Sequence, residues 1–199
     1  MTDRKAGQDR PDMNPWLFFR RWLANPREVG SVAPSSPALK RRLTQEVVRA
    51  PDEYVVELGG GTGAITRGIL ERGVPPERLY VLEINPEMAQ HLRDIFPGIH
   101  VIEGDARRLG EILPPEVVGK VGTTVCGIPM LLLTLEEQQA ILDSAYSVMP
   151  KGRQVVLYTY ALSSPLPRDK LGLTGRRVGF VPANIPPASV WAYRQRRAG

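Results

Sequence analysis

Short apolar runs alternate along this chain with longer stretches of helical periodicity. Tyr54–Leu58, Leu79–Glu83, Ile99–Asp105, Val121–Cys126 and Gln154–Tyr160 are dominated by β-branched, aromatic and leucine residues. They lack the strict apolar–polar alternation of a half-exposed strand, as expected of parallel strands buried on both faces. Between them the apolar positions recur at helical spacing. One helix starts at Ser36-Pro37 and reaches about Arg49, and another follows a glycine turn and runs to about Arg72, where Gly73 and Pro75-Pro76 stop it. A third is capped by Asn85-Pro86 and ends before Pro97-Gly98, and a fourth spans Leu135–Val148. This alternation predicts an α/β fold with a mostly parallel sheet and crossover helices on both faces. Two further short strands, Arg176–Val181 and Ser189–Arg194, flank a proline-rich turn and predict an antiparallel hairpin.

The first 36 residues break this pattern. Residues 1–12 are polar and of mixed charge and read as a disordered arm. Residues 13–24 form an amphipathic helix with Asn14 as N-cap and Pro15 at its first position. On a helical wheel Trp16, Phe18, Phe19, Trp22 and Leu23 share one face, and Arg20 and Arg21 lie to the other side. Aromatics opposite arginines suit a helix lying in a lipid headgroup layer, and equally suit a lid packed over a ligand. Residues 13–36 are therefore assigned as a membrane or lid element with its link, and residues 37–199 as the α/β domain.

Composition narrows the classes without choosing among them. The 199 residues suffice for one domain with a substantial core, and the net charge of +5 favours an acidic partner such as an anionic surface. A single cysteine, Cys126, excludes an intramolecular disulfide, and two histidines, His91 and His100, make no convincing metal site, so no metal is expected. No segment approaches the roughly 18 apolar residues needed to span a bilayer.

The strongest chemical signal is Glu57-Leu58-Gly59-Gly60-Gly61-Thr62-Gly63, at the end of the first strand. Gly59, Gly61 and Gly63 let the chain turn sharply and let a ligand approach the backbone. The helix that follows offers free N–H groups to an anion. The glycines alone would also satisfy a dinucleotide fingerprint, while a P-loop is excluded because no Gly-Lys-Ser/Thr follows. Glu57 decides between cofactors: a carboxylate here opposes a pyrophosphate and suits an ammonium. The segment resembles motif I of the class I S-adenosylmethionine-dependent methyltransferases. That resemblance implies a Rossmann-like fold, a seven-stranded mostly parallel sheet ending in a C-terminal antiparallel hairpin, and S-adenosyl-L-methionine as cofactor.

Other strand ends extend the site. Glu83 can accept both ribose hydroxyls, Asp105 can accept the adenine amino group, and Ile84 and Ala106 can hold the adenine ring between them. The fourth strand ends in Cys126-Gly127-Ile128-Pro129-Met130, which resembles the acceptor motif of amino methyltransferases with two departures. Cys126 stands where Asn, Asp or Ser would bind a nucleobase amine, and Met130 stands where an aromatic would stack on a flipped base. Cys126 is placed at the cofactor's reactive end as a small buried residue. The backbone of Gly127 can orient an amine, and Tyr158 and Tyr160 can border it and stabilise the developing ammonium. Arg176 and Arg177, with Arg168 and Lys170, are placed toward a lipid phosphate or solvent.

The link Ser31-Val32-Ala33-Pro34-Ser35-Ser36 and the tail Ala183-Asn184-Ile185-Pro186-Pro187-Ala188-Ser189-Val190-Trp191 resemble the soluble, Rhodobacter-type bacterial phospholipid N-methyltransferases over roughly residues 13–197. The sheet core of that family is similar to the rRNA adenine dimethylases. The resemblance implies methylation of phosphatidylethanolamine, and of its mono- and dimethyl forms, toward phosphatidylcholine. It also implies a monomer, peripheral on the cytoplasmic face of the inner membrane, with Trp16, Phe19, Arg20, Arg21, Trp22, Arg176 and Arg177 toward an anionic surface and no nucleic-acid partner. The competing readings are an rRNA adenine N6-methyltransferase and an inactive S-adenosylmethionine-binding module.

Overall fold

A computed structural model describes residues 36–161 and 163–196. The arm, the aromatic helix and the link through Ser35 lie outside the described residues, as do Trp16, Phe19, Arg20, Arg21 and Trp22. The first described helix, α1 (Pro37–Thr44), opens with Ser36 accepting the Leu39 N–H at 3.2 Å and Pro37 at its first position. It stops short of the expected Arg49. The Thr44 hydroxyl turns back onto the Lys40 carbonyl at 3.0 Å. Beyond it, Val48 is pulled to the sheet: its N–H donates to the Thr123 hydroxyl at 3.0 Å, and that hydroxyl donates to its carbonyl at 2.6 Å.

Among the described residues, seven strands form one sheet in the order β3-β2-β1-β4-β5-β7-β6. They are β1 (Tyr54–Leu58), β2 (Leu79–Glu83), β3 (His100–Glu103), β4 (Val121–Cys126), β5 (Gln154–Thr159), β6 (Leu173–Val181) and β7 (Ala188–Gln195). The first five strands run parallel, and β7 pairs antiparallel with both β5 and β6. The connecting helices are α2 (Ala64–Glu71), α3 (Pro86–Ile95), a short α4 (Leu109–Ile112) and α5 (Leu135–Ser147). Strand side chains divide between two cores. Val55, Val81, Val125 and Val156 pack with Leu39, Leu43 and Ile69 on the α1–α2 face. Val56, Leu82, Cys126 and Leu157 pack with Ile141, Leu142 and Ala145 on the α5 face. This double burial explains why the central strands read as continuous apolar runs.

The hairpin is longer than the sequence predicts, because Gly175 breaks the strand pattern there. A Cβ on Gly175 would lie 2.4 Å from the Tyr193 ring, so the glycine lets that buried aromatic cross its partner strand. The chain runs outward from β1 to β3, then returns to β4 on the other side of β1. The gap between the carboxyl ends of β1 and β4 is therefore the switch point where open α/β sheets bind ligands.

Candidate active site

The turn between β1 and α2 is held by backbone bonds, with the Gly59 N–H donating to the Leu82 carbonyl at 2.7 Å and the Gly63 N–H to Gly60 at 2.9 Å. Gly59, Gly61 and Gly63 all have positive φ, the region where side chains are strained. The glycines divide by what they face. A Cβ on Gly60 would meet Val81 at 2.4 Å, and one on Gly63 would meet Phe96 at 2.4 Å, so these two let the turn sink onto β2 and α3. A Cβ on Gly61 would meet nothing within 4 Å, so this residue presents bare backbone to open space. Gly127, just past β4, closes the arrangement: its N–H donates to the Leu58 carbonyl at 2.8 Å, and a Cβ there would lie 2.7 Å from the Gly59 oxygen.

Three acids stand at three successive strand ends, as the sequence predicts, and each already holds a protein donor. Glu57 is buried and accepts the Thr66 hydroxyl at 2.7 Å, tying β1 to the first turn of α2. Burial pushes its carboxyl up to about 8, and the neighbouring charge of Glu83 adds to the rise. Glu83 is also buried, and its two oxygens accept the Gly61 and Asn85 N–H groups, each at 2.9 Å. Asp105 caps the turn Ala106–Arg108 and receives the Arg107 side chain on both oxygens. Burial works to raise this carboxyl, but the hydrogen bonds and charge of Arg107 outweigh it and hold it below the usual aspartate range.

An open cleft lies at the carboxyl edge, with Asp105 in its wall. Gly59, Ile84, Asp105 and Ala106 line it as expected, joined by Leu82, Arg107, Ile128, Leu133, Glu137 and Ile141. Ile84 and Ala106 thus share one apolar slot with Ile128 and Leu133, which suits a flat ring with a polar edge toward Asp105. Glu57, Gly61, Gly63, Glu83, Cys126 and Gly127 do not line this cleft. The Glu57 side chain points to the α2 face, so its influence on a ligand is through charge and through the shape of the turn. Cys126 is a core residue on the α5 face, its thiol directed to the Ile128 carbonyl at 3.8 Å and pushed up to about 12 by burial. It is neither a thiolate nor a cleft wall at neutral pH.

The residues present fit S-adenosylmethionine. Two buried carboxyl groups side by side at the ends of β1 and β2 favour a nearby cation, Gly61 offers open backbone, and the apolar slot reaches Asp105. Glu83 can take ribose hydroxyls only on the lone pairs that Gly61 and Asn85 leave open.

On the acceptor side the structure separates what the sequence placed together. Tyr158 and Tyr160 lie on the α1 face of β5, edge to face with ring centroids 5.9 Å apart, packed against the cluster of Leu39, Val181 and Ala188. Burial raises the Tyr160 hydroxyl well above the ordinary tyrosine range. Neither ring lines the cleft. Arg176 shares Glu46 with Arg42, at 3.7 and 2.9 Å respectively, and the Arg177 guanidinium lies 5.9 Å from the exposed Phe180 ring. Thr66, Arg107 and Leu133 were not legible as site residues. Only Arg107, two places after an acid at a strand end, carried a local signal.

No family model matches the chain. It is 31% identical over 187 residues to the ornithine lipid N-methyltransferase of Singulisphaera acidiphila, covering 90% of this chain and 95% of that one. It is 28% identical over 127 residues to the ribosomal RNA small subunit methyltransferase A of Chlorobium phaeobacteroides, covering 61% of this chain and 46% of that one. The fold superposes on magnesium protoporphyrin IX methyltransferase of Synechocystis PCC 6803 with bound S-adenosylmethionine at a TM-score of 0.58, with 13% identity and coverage of 94% and 100%. With a glycine turn and strand-end acids that fit this cofactor, the chain belongs to the family of class I S-adenosylmethionine-dependent methyltransferases that includes the ornithine lipid N-methyltransferase.

Proposed function

We propose that this enzyme methylates the amine of a membrane lipid, with phosphatidylethanolamine and its mono- and dimethyl forms as acceptors. The observation that carries the reading is the acceptor end of β4. From Cys126 to Leu133 it has no charged side chain and no aromatic, and its one titratable group is a buried thiol. A flipped base would lack its stacking platform there, whereas an alkyl amine needs only a carbonyl to aim its lone pair and an apolar wall. The lipid named for the relative matched over 90% of the chain supports the same class. That likeness also supports a second acceptor, the amine of an ornithine lipid. The RNA-methylating relative matches 61% of this chain and 46% of its own length.

Bound S-adenosylmethionine supplies an electrophilic methyl group on a cationic sulfur. The chain's part is to hold and align. Glu83, Ile84, Asp105 and Ala106 hold the adenosine end, the Gly59–Gly63 turn with Glu57 and Glu83 shapes and charges the methionine end, and the Gly127 carbonyl orients the amine. Tyr158 and Tyr160, packed on the α1 face, brace the end of β5 beside the acceptor end of β4. No buried base is needed. The acceptor reacts as the neutral amine, whose lysine-like pKa of about 10.4 means that it gives its proton to solvent before transfer. Activity therefore rises with pH until another group limits it.

No helix of the described residues is long and apolar enough to cross a membrane. Contact with an anionic surface falls to residues 13–24 and to the basic β6, in a monomeric peripheral enzyme. The test is transfer of labelled methyl groups to vesicles containing phosphatidylethanolamine or an ornithine lipid, against vesicles of equal charge made only of amine-free lipids. Label in the amino lipids is expected. Equal labelling of the two sets, or none in either, contradicts the assignment.

A further inference from the structure

Glu83 and Asp105 stand at the ends of neighbouring strands, β2 and β3, yet their lone pairs are used differently. Each Glu83 oxygen accepts one backbone N–H, from Gly61 or Asn85, which leaves room on both oxygens for a ligand. The Asp105 carboxylate is saturated by a single residue. Its Oδ1 accepts the Arg107 backbone N–H at 2.9 Å and Nε at 3.0 Å, and its Oδ2 accepts Nε at 2.9 Å and Nη2 as well. A carboxylate oxygen has about two lone-pair sites, so this set leaves none for an incoming donor.

The Arg107 contacts divide into a fixed part and a movable part. Its backbone N–H belongs to the turn Ala106–Arg108, and the next residue fastens that turn to α5, the Leu109 N–H donating to the Ser144 hydroxyl at 2.7 Å. The backbone bond therefore keeps the carboxylate in place whatever the side chain does. The guanidinium, partly exposed on a long stem, lines the cleft together with Asp105. It donates and never accepts. The exocyclic amino group of adenine behaves likewise, because its nitrogen lone pair is delocalised into the ring. Both groups seek the same oxygens, and only one can hold them. Glu137, on α5, lines the same cleft, and its negative charge acts on Arg107, so a guanidinium displaced from Asp105 keeps an anionic neighbour.

We propose that Arg107 sets affinity and selectivity at the adenine end of the cleft: its guanidinium holds the Asp105 oxygens that the adenine amino group needs, and yields them as the ring enters. This deepens the cofactor pose given above, in which Asp105 takes that amino group, and rests on it. What the ring gains at Asp105 is offset by the ion pair it displaces. Selection for the amino group is therefore weaker than a carboxylate with open lone pairs would give.

The experiment measures binding by calorimetry in the full chain, with two ligands. One is S-adenosylhomocysteine, whose sulfur carries no charge, and the other is its analogue with hydrogen in place of the 6-amino group. The proteins are wild type, Arg107→Ala, Arg107→Lys and the double variant Arg107→Ala with Asp105→Ala. Arg107→Ala should tighten S-adenosylhomocysteine about fivefold, the scale of one partly exposed ion pair, and leave the analogue within about twofold. Arg107→Lys keeps the charge without the fork of donors and should lie between wild type and Arg107→Ala. Adding Asp105→Ala to Arg107→Ala should cost S-adenosylhomocysteine about tenfold or more, the weight of one hydrogen bond to a charged group, and again spare the analogue. Thermal melts should show all the variants folded, because both side chains lie in the wall of an open cleft. An Arg107→Ala protein that binds S-adenosylhomocysteine no tighter than wild type, or that tightens both ligands alike, overturns the proposal. A double variant that binds S-adenosylhomocysteine as tightly as Arg107→Ala refutes the adenine contact at Asp105, and the competition with it. Since only binding is read, the outcome does not depend on which acceptor is methylated.

Discussion

Glu57, Glu83 and Asp105, at the ends of β1, β2 and β3, each hold a protein donor before any ligand arrives. The ends of β4 and β5 offer Gly127, Ile128, Pro129 and Met130, then Tyr158 and Tyr160, with no carboxylate and no basic side chain. One half of the carboxyl edge is thus a rigid polar frame, and the other is an apolar surface shaped by packing. The difference matches the two things methyl transfer requires. A charged cofactor must be fixed in one pose by preorganised groups, whereas an alkyl amine must be desolvated and aimed.

The largest break in this contrast should come from Glu83→Ala. It strips the acceptors from the Gly61 and Asn85 N–H groups, at about 1–3 kcal/mol for each buried donor left unpaired. Both folding stability and S-adenosylmethionine affinity should fall, measured by thermal melts and calorimetry, with Glu83→Gln intermediate because it keeps one oxygen. Next is Gly127→Ala, which couples the two halves. Its Cβ would press on the Gly59 oxygen, and overpacking of that kind costs about 1–3 kcal/mol. Cofactor affinity should drop about tenfold or more, although Gly127 belongs to the acceptor motif. An unchanged Kd would show that the halves are independent.

A smaller effect distinguishes charge from shape at Glu57. Its carboxyl is raised in the folded protein, so its contribution to stability is full below the ordinary value of 4.5 and is lost as pH rises through about 8. A cationic ligand favours the ionised form. Cofactor binding should therefore release protons near neutral pH and tighten toward pH 8, as calorimetry in buffers of different ionisation enthalpy would measure. Glu57→Gln should flatten that dependence; a wild-type Kd independent of pH would mean that Glu57 only braces Thr66. The smallest effect is expected of Cys126→Ala. The thiol is buried, protonated and outside the cleft, so kcat should stay within about twofold while stability falls by about 1 kcal/mol.

The polar frame was legible in the sequence and much of the apolar half was not. β2 and β4 were bounded to the residue, since charged and proline-rich segments interrupt their apolar runs sharply. The glycine turn and its three acids could be read because each residue's chemistry is local to a strand end. What escaped depends on contacts across the fold. That Glu57 turns to Thr66 and away from the cleft, that Tyr158 and Tyr160 face α1, and that Ser36 meets Asn184 are consequences of which face each strand buries. The early end of α1 likewise comes from Thr123 on another strand, which no local pattern announces.

The class of acceptor can be decided by a competition. Phosphatidylethanolamine vesicles and small-subunit ribosomal RNA are offered together to the enzyme with labelled S-adenosylmethionine, and label is counted in the separated lipid and RNA. Label is expected in N-methylated lipid, rising with pH, and none above background in RNA. Label confined to RNA, or none in either under conditions where the cofactor is bound, would contradict the lipid assignment.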